Sequence, residues 1–181
     1  MKAAYIGRFQ PFHEGHRIVI ERYRDEHESL TVVVGSSGKS REEENPLSFD
    51  ERREIIKSCH PETDVIPLED EGSSEEANQK WAEKLEEKSR ADAIITRNSL
   101  VARLVDEYTG MDVVEPERIG PDSYSGTEVR RRIRSGEEWR YLVPDCCQEK
   151  VEELKEVIKK SGREYSFEPG WKKENAYHGT E

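Results

Sequence analysis

Cysteine is scarce in this chain of 181 residues: there are three, Cys59, Cys146 and Cys147, two of them adjacent. Three cysteines make no disulfide framework, and no CxxC pair or Cys/His spacing is present to hold a metal. That usage fits a reducing cytosol. No apolar run approaches the roughly 18 residues that cross a bilayer, and no basic stretch leading into an apolar segment opens the chain. The expectation is a soluble, unexported, cytoplasmic protein without a membrane partner. Positive charge is in deficit, with 40 acidic against 29 basic residues and a net charge of −11. An acidic surface argues against duplex nucleic acid as the main partner; adaptation to high salt and plain solubility both account for it. Apolar residues are few (33%, against 38% charged, mean hydropathy −0.98). They nonetheless fall in compact runs, which a disordered chain does not need.

Those runs are short and β-branched: "AAYI" (3–6), "LTVVVG" (30–35), "DVIPL" (64–68), "DAIIT" (92–96) and "DVVEP" (112–116). They are continuous rather than alternating, as strands covered on both faces should be. Helical patterns lie between them, near 14–27, 48–59, 74–89 and 98–109, and two more follow at 125–135 and about 145–161. Ser48 with Glu51 three residues on reads as a capping box. Alternation of this kind predicts an α/β fold: a doubly wound, Rossmann-like parallel sheet of five strands with helices on both faces and C-terminal helices appended. One domain over 1–162 is expected, with a tail over 163–181. Ligands of such sheets bind outside the carboxyl ends of the strands, and the first strand-to-helix turn lies at that edge.

That turn reads "GRFQPFHEGH" (7–16). Gly7 permits close approach of the backbone to a phosphate, and the helix beginning near Glu14 offers unpaired N–H groups to an anion. Arg8 adds a fixed charge. His13 and His16, three residues apart, fall on one helix face and can donate to phosphoryl oxygens. Further along, "GSSGKSREEENPLSFDERREII" (35–56) places a Gly-Ser loop after the second strand and Arg52 and Arg53 on the first turns of a helix. In "EEANQKWAEKL" (75–85) Trp81 sits among acidic and amide residues, where packing against Leu85 is the favoured role on sequence alone. Asn98 in "TRNSLVARLV" (96–105) can cap a helix. In "YSGTEVRRRI" (124–133) Ser125 or Thr127 can do the same. Consecutive arginines 130–132 point about 100° apart, so one can face a ligand while the others pair with Glu.

"HEGH" resembles the HxGH signature of the nucleotidyltransferase superfamily, and the full "GRFQPFHEGH" resembles the signature of archaeal-type nicotinamide-nucleotide adenylyltransferases. The resemblance extends in order through "NP…ER", the Asn78/Trp81 pair, "TRNSLVARLV" (96–105), which matches the family's "GNPLV-RLF", and the Ser-Thr-x-x-Arg segment, covering residues 1 to about 160. It implies transfer of AMP from ATP to nicotinamide mononucleotide, giving NAD and pyrophosphate. By that resemblance Arg8, His13, His16, Arg52 and Arg130 are catalytic. ATP is bound by those five with Gly7, Phe9, Ser125 and Thr127; Arg52 rather than Arg53 is the phosphate ligand. Asn78, Trp81 and Asn98 bind the nicotinamide nucleotide, the indole stacking on the pyridine ring. Two departures stand out: Gly38 and Arg41 replace a Gln and a His in the loop 36–44, and Ser99 replaces a Pro. Mg²⁺ is expected to arrive with ATP, because no carboxylate ligand set is evident. The resemblance also implies a homo-oligomer, commonly a hexamer in that family. FMN or phosphopantetheine as acceptor, glycerol phosphate with CTP, and an inactive nucleotide-binding regulator are the alternatives weighed. A tRNA-interacting fragment is disfavoured by the acidic surface.

Overall fold

The structure, a computed structural model, describes residues 1–163; the expected tail over 163–181 lies outside the described residues apart from Arg163. Five parallel strands form one sheet in the order β3-β2-β1-β4-β5. They are β1 (Lys2–Gly7), β2 (Ser29–Val34), β3 (Asp64–Pro67), β4 (Ala93–Ile95) and β5 (Asp112–Val114), connected by α1 (Glu14–Glu26), α2 (Phe49–Cys59), α3 (Glu75–Ser89) and α4 (Ser99–Tyr108). β1 is central, pairing with β2 from Lys2↔Ser29 to Gly7↔Val34 and with β4 from Ala3↔Ala93 to Tyr5↔Ile95. The chain order reverses between β1 and β4, so the switch point lies at the carboxyl end of β1.

Successive side chains on a strand point to opposite faces, and two apolar cores result. Ala3, Tyr5, Val32 and Val34 pack with Ile20, Ile55 and Ile56 on one face. Ala4, Ile6 and Val33 pack with Leu85, Val105 and Met111 on the other. Burial on both faces is why the strands read as continuous apolar runs. Each connecting helix begins at a polar cap: Ser48 accepts from the Glu51 N–H with Glu51 answering, Ser74 accepts from Ala77, and Asn98 accepts from Leu100 and Val101.

α5 (Gly126–Ser135) follows the sheet, then 3₁₀ turns at Arg140–Leu142 and Asp145–Cys147, α6 (Gln148–Glu153) and α7 (Lys155–Lys160). The single helix expected near 145–161 is therefore broken, because Leu154 (ψ 2°) leaves helical geometry between α6 and α7. Trp139, Leu142, Val143, Val151 and Ile158 close over the first core.

The reading of the cysteines as unpaired needs correction. Cys59 at the end of α2 is disulfide-bonded to Cys146, 87 residues away, with their Cα atoms 5.2 Å apart. Tertiary packing of α2 against the Asp145–Cys147 turn creates that proximity, which the spacing of three cysteines does not reveal. The neighbouring Cys147 is free and buried, and burial pushes its thiol up to about 12.

Candidate active site

The site is assembled around the turn that leaves β1. His13 is the N-cap of α1, with extended backbone (φ −141°), and its Nδ1 accepts from the Gly15 N–H at 3.1 Å. It thus stands just outside the helix, which begins at Glu14 as expected, rather than sharing a helix face with His16. His16 lies inside, and its Nδ1 accepts from the His13 N–H at 3.2 Å. The rings still meet, stacked with centroids 3.6 Å apart. With each Nδ1 serving as an acceptor, the single proton of each neutral imidazole resides on Nε2. Burial lowers His13 to about 3 and, with the neighbouring His13, holds His16 well below its ordinary value. The pair is therefore two neutral N–H donors at physiological pH.

Gly15 makes this stack possible: a Cβ there would meet His13 Cε1 at 3.0 Å and Nδ1 at 3.1 Å. Phe9, expected to touch ATP, has a buried side chain (1% exposed). Its ring supports His16 from 4.6 Å and meets Tyr5 edge-on, and its backbone sits in the left-handed region at φ 53°. Gln10 went unnoticed in the sequence, yet its buried amide binds the main chain of Leu47 twice, at 2.9 Å each way. A lone Gln between two phenylalanines was the available signal, since a buried amide must find partners.

α5 closes the turn from the other side. Ser125 caps it, accepting from the Glu128 N–H. Arg130 is buried, with Nη1 donating to the Gln10 carbonyl at 2.7 Å and Nη2 reaching Thr127 Oγ1 at 3.5 Å, while its buried Nε has no partner among the described residues. Gly126 lets the helix approach, because a Cβ there would come within 3.0 Å of the same Gln10 carbonyl. Arg131 and Arg132 turn away and pair with Glu128 and Glu137. The structure thus gathers His13, His16, Ser125, Thr127 and Arg130 around one turn.

Arg52 is placed differently from expectation. It is completely buried, and its guanidinium donates only to main-chain carbonyls. No N–H remains for direct contact with a phosphate, so its expected role as a phosphate ligand does not match this geometry.

From Gly7 and Arg8 a cavity of about 670 Å³ runs along the carboxyl edge of the sheet. Gly35, Ser36 and Lys39 border it from the loop after β2, Asn78 and Trp81 from α3, and Thr96, Asn98 and Leu100 from the end of β4 and the start of α4. A cavity of that size suits a nucleotide. Arg8 is half exposed here, loosely paired with Glu44 at 3.7 Å. Trp81 lines the cavity while packing against the second core. Asn98 likewise lines the cavity while its side-chain oxygen caps α4. Among the described residues no group of three or more His, Cys, Asp or Glu could hold a metal ion, and no helix is long and apolar enough to cross a membrane.

A parallel sheet whose first turn presents stacked imidazoles at a helix N-terminus, beside a nucleotide-sized cleft at the switch point, defines a nucleotidyltransferase domain. Residues 4–132 match the Cytidylyltransferase-like family. Nicotinamide-nucleotide adenylyltransferase of Halobacterium salinarum is 37% identical over 155 residues, 83% of this chain and 85% of the relative. The enzyme of that name from Methanolobus tindarius is 33% identical over 174 residues, 91% of this chain and 98% of the relative. The chain belongs to the nicotinamide-nucleotide adenylyltransferase family within the cytidylyltransferase-like proteins. In fold it is similar to a bifunctional NMN adenylyltransferase/ADP ribose pyrophosphatase from Francisella tularensis, with a TM-score of 0.70 at 21% identity over 89% of this chain. It spans about half of that longer protein (52%), which was also solved with AMP and a manganese ion.

Proposed function

We propose that this protein transfers AMP from ATP to nicotinamide mononucleotide, forming NAD and pyrophosphate. One observation carries the choice of acceptor. Asn78 and Trp81, one turn apart on α3, form a wall of the same cavity whose floor is Gly7, Arg8, Gly35 and Ser36. An indole face beside a carboxamide is suited to a flat pyridine amide, while the floor is suited to the phosphate that must react.

The acceptor's 5′-phosphate oxygen attacks the α-phosphorus in line. A bond forms between them, the Pα–O–Pβ bond breaks, and pyrophosphate leaves with the electron pair. A phosphate oxygen is already a competent nucleophile, so catalysis reduces to positioning and charge stabilisation. The neutral Nε2–H groups of His13 and His16 donate to the α-phosphoryl oxygens and the departing pyrophosphate. Preorganised donors of this kind stabilise developing charge without reorganising at the moment of reaction. Arg130, with Nε unpartnered among the described residues, and Arg8, exposed beside Gly7, supply fixed positive charge. Ser125 and Thr127 open α5 toward the phosphates. No carboxylate set among the described residues would hold a metal; Mg²⁺ would come with ATP and would offset the negative charge of its phosphates. Homo-oligomeric, hexameric assembly and a cytoplasmic setting complete the proposal.

The test is a panel of acceptors. Incubated with ATP, Mg²⁺ and each of nicotinamide mononucleotide, FMN and phosphopantetheine, the protein should release pyrophosphate with the nicotinamide nucleotide alone. Release with a different acceptor refutes the assignment of Asn78 and Trp81. Release with none refutes the activity.

A further inference from the structure

We propose that Arg52 is a positioning residue that shapes a main-chain anion cradle at the carboxyl ends of β1 and β2, without touching phosphate itself; its bearing on catalysis rests on the function just proposed. A guanidinium has five N–H donors and no acceptor, and here all five are spent. Nε donates to the Ser48 carbonyl at 3.2 Å, Nη1 to the carbonyls of Arg8 and Gly35 at 3.0 Å each, and Nη2 to those of Ser36 at 3.1 Å and Ser37 at 3.5 Å. These carbonyls come from three segments, the turn after β1, the loop after β2 and the cap of α2. No carboxylate pairs with the cation among the described residues. Burial lowers it to about 10, so it stays charged at neutral pH.

What those bonds do to the peptide planes matters more. In a trans peptide the N–H points opposite to the carbonyl of the same unit. Drawing the carbonyls of Arg8, Gly35 and Ser37 toward Arg52 therefore turns the N–H groups of Phe9, Ser36 and Gly38 away from it. Among the described residues none of these three N–H groups has a hydrogen-bond partner, whereas the intervening Ser37 N–H is engaged by the Leu68 carbonyl at 3.1 Å. The two segments are locked side by side by Gly35 N–H donating to Gly7 O at 2.9 Å. Phe9 and Ser36 hold left-handed backbone, φ 53° and 46°, a conformation non-glycine residues adopt at a cost unless the surroundings impose it. Turns whose left-handed residues leave main-chain N–H groups unpaired form anion-binding concavities. Arg52 imposes that backbone and places a buried positive charge behind the same N–H groups. The cradle takes a phosphoryl or pyrophosphoryl anion.

The experiment uses inorganic pyrophosphate as the probe, read by amide and guanidinium NMR on the whole chain, with no turnover required. Pyrophosphate should shift the amides of Phe9, Ser36 and Gly38 while the Arg52 side-chain resonances stay in place. Arg52→Lys keeps the charge but has three donors without the planar fork. Folded by circular dichroism, it should bind pyrophosphate at least about tenfold more weakly, with those amide shifts lost. Quenching of Trp81 by nicotinamide riboside, which carries no phosphate, should be unchanged. Added guanidinium should restore pyrophosphate binding to Arg52→Ala. Unaltered pyrophosphate affinity in a folded Arg52→Lys variant overturns the proposal. So does a wild-type titration in which the Arg52 guanidinium shifts and the three amides do not, and that titration decides the matter even if neither variant folds. Cradle binding without adenylyl transfer would sink the proposed function and leave this inference standing.

Discussion

Replacing Gly15 by Ala separates stability from turnover at this site. The new Cβ would lie 3.0 Å from His13 Cε1, 3.1 Å from Nδ1 and 3.4 Å from Tyr124 Cβ, against ordinary contacts beyond 3.4 Å. Tyr124 borders the other side, so the imidazole must give by a few tenths of an ångström, straining the Gly15 N–H···Nδ1 cap and the stack on His16. Loss of a cap costs about 1 kcal/mol. Ala gains up to about 1 kcal/mol over Gly within a helix. Net stability should therefore change by no more than about 1 kcal/mol, measurable as a small shift in the urea midpoint. Turnover should not share that cancellation. Displacing a positioned donor by about 1 Å costs on the order of 10²-fold, so a shift of a few tenths of an ångström should lower pyrophosphate release by about 3- to 10-fold. A stable Gly15→Ala variant with turnover within about twofold of wild type would refute the role given to the stacked imidazoles. Collapse of the fold would refute the cancellation.

The histidine pair also sets a pH dependence. Folding holds His13 at about 3 and His16 well below its ordinary value, so the unfolded chain binds more protons below its own His pKa near 6.5. Their neutral burial costs nothing above that pH. Stability should fall as pH drops from about 6.5 toward 4.5, by about 2–3 kcal/mol for each histidine that stays neutral, and His13→Asn should flatten the urea-midpoint profile. Trp81→Ala should raise the KM for nicotinamide mononucleotide by about 3- to 10-fold, the worth of one aromatic stack, with the KM for ATP nearly unchanged; equal losses would leave packing as its main role. Dithiothreitol should lower unfolding stability by up to about 4.6 kcal/mol, as expected for a cross-link closing a loop over 87 residues, and Cys59→Ser should abolish the effect. Cys147 should resist thiol reagents until the chain unfolds.

The sheet was legible because strands buried on both faces must be written as continuous β-branched runs, and 3–6, 30–35 and 64–68 all became strands within a residue or two of those bounds. Polar caps marked the helix starts at Ser48, Asn98 and Ser125 because unpaired N–H groups need an acceptor. What could not be read is whatever depends on a distant partner. Cys59 and Cys146 meet only after α2 packs on the C-terminal segment. Arg52 was visible as a cation beside a nucleotide loop, but its neighbours in space had already claimed every donor. The protonation of His13 and His16 followed from burial and from which nitrogen each cap engages, neither of which spacing encodes.

Isotopic labelling of ATP tests the central claim most directly. With nicotinamide mononucleotide as acceptor, label at the α-phosphate should appear in the dinucleotide and label at the γ-phosphate in pyrophosphate, with no ADP formed. Label from the γ-phosphate on the acceptor, or ADP in place of pyrophosphate, would contradict adenylyl transfer at this site.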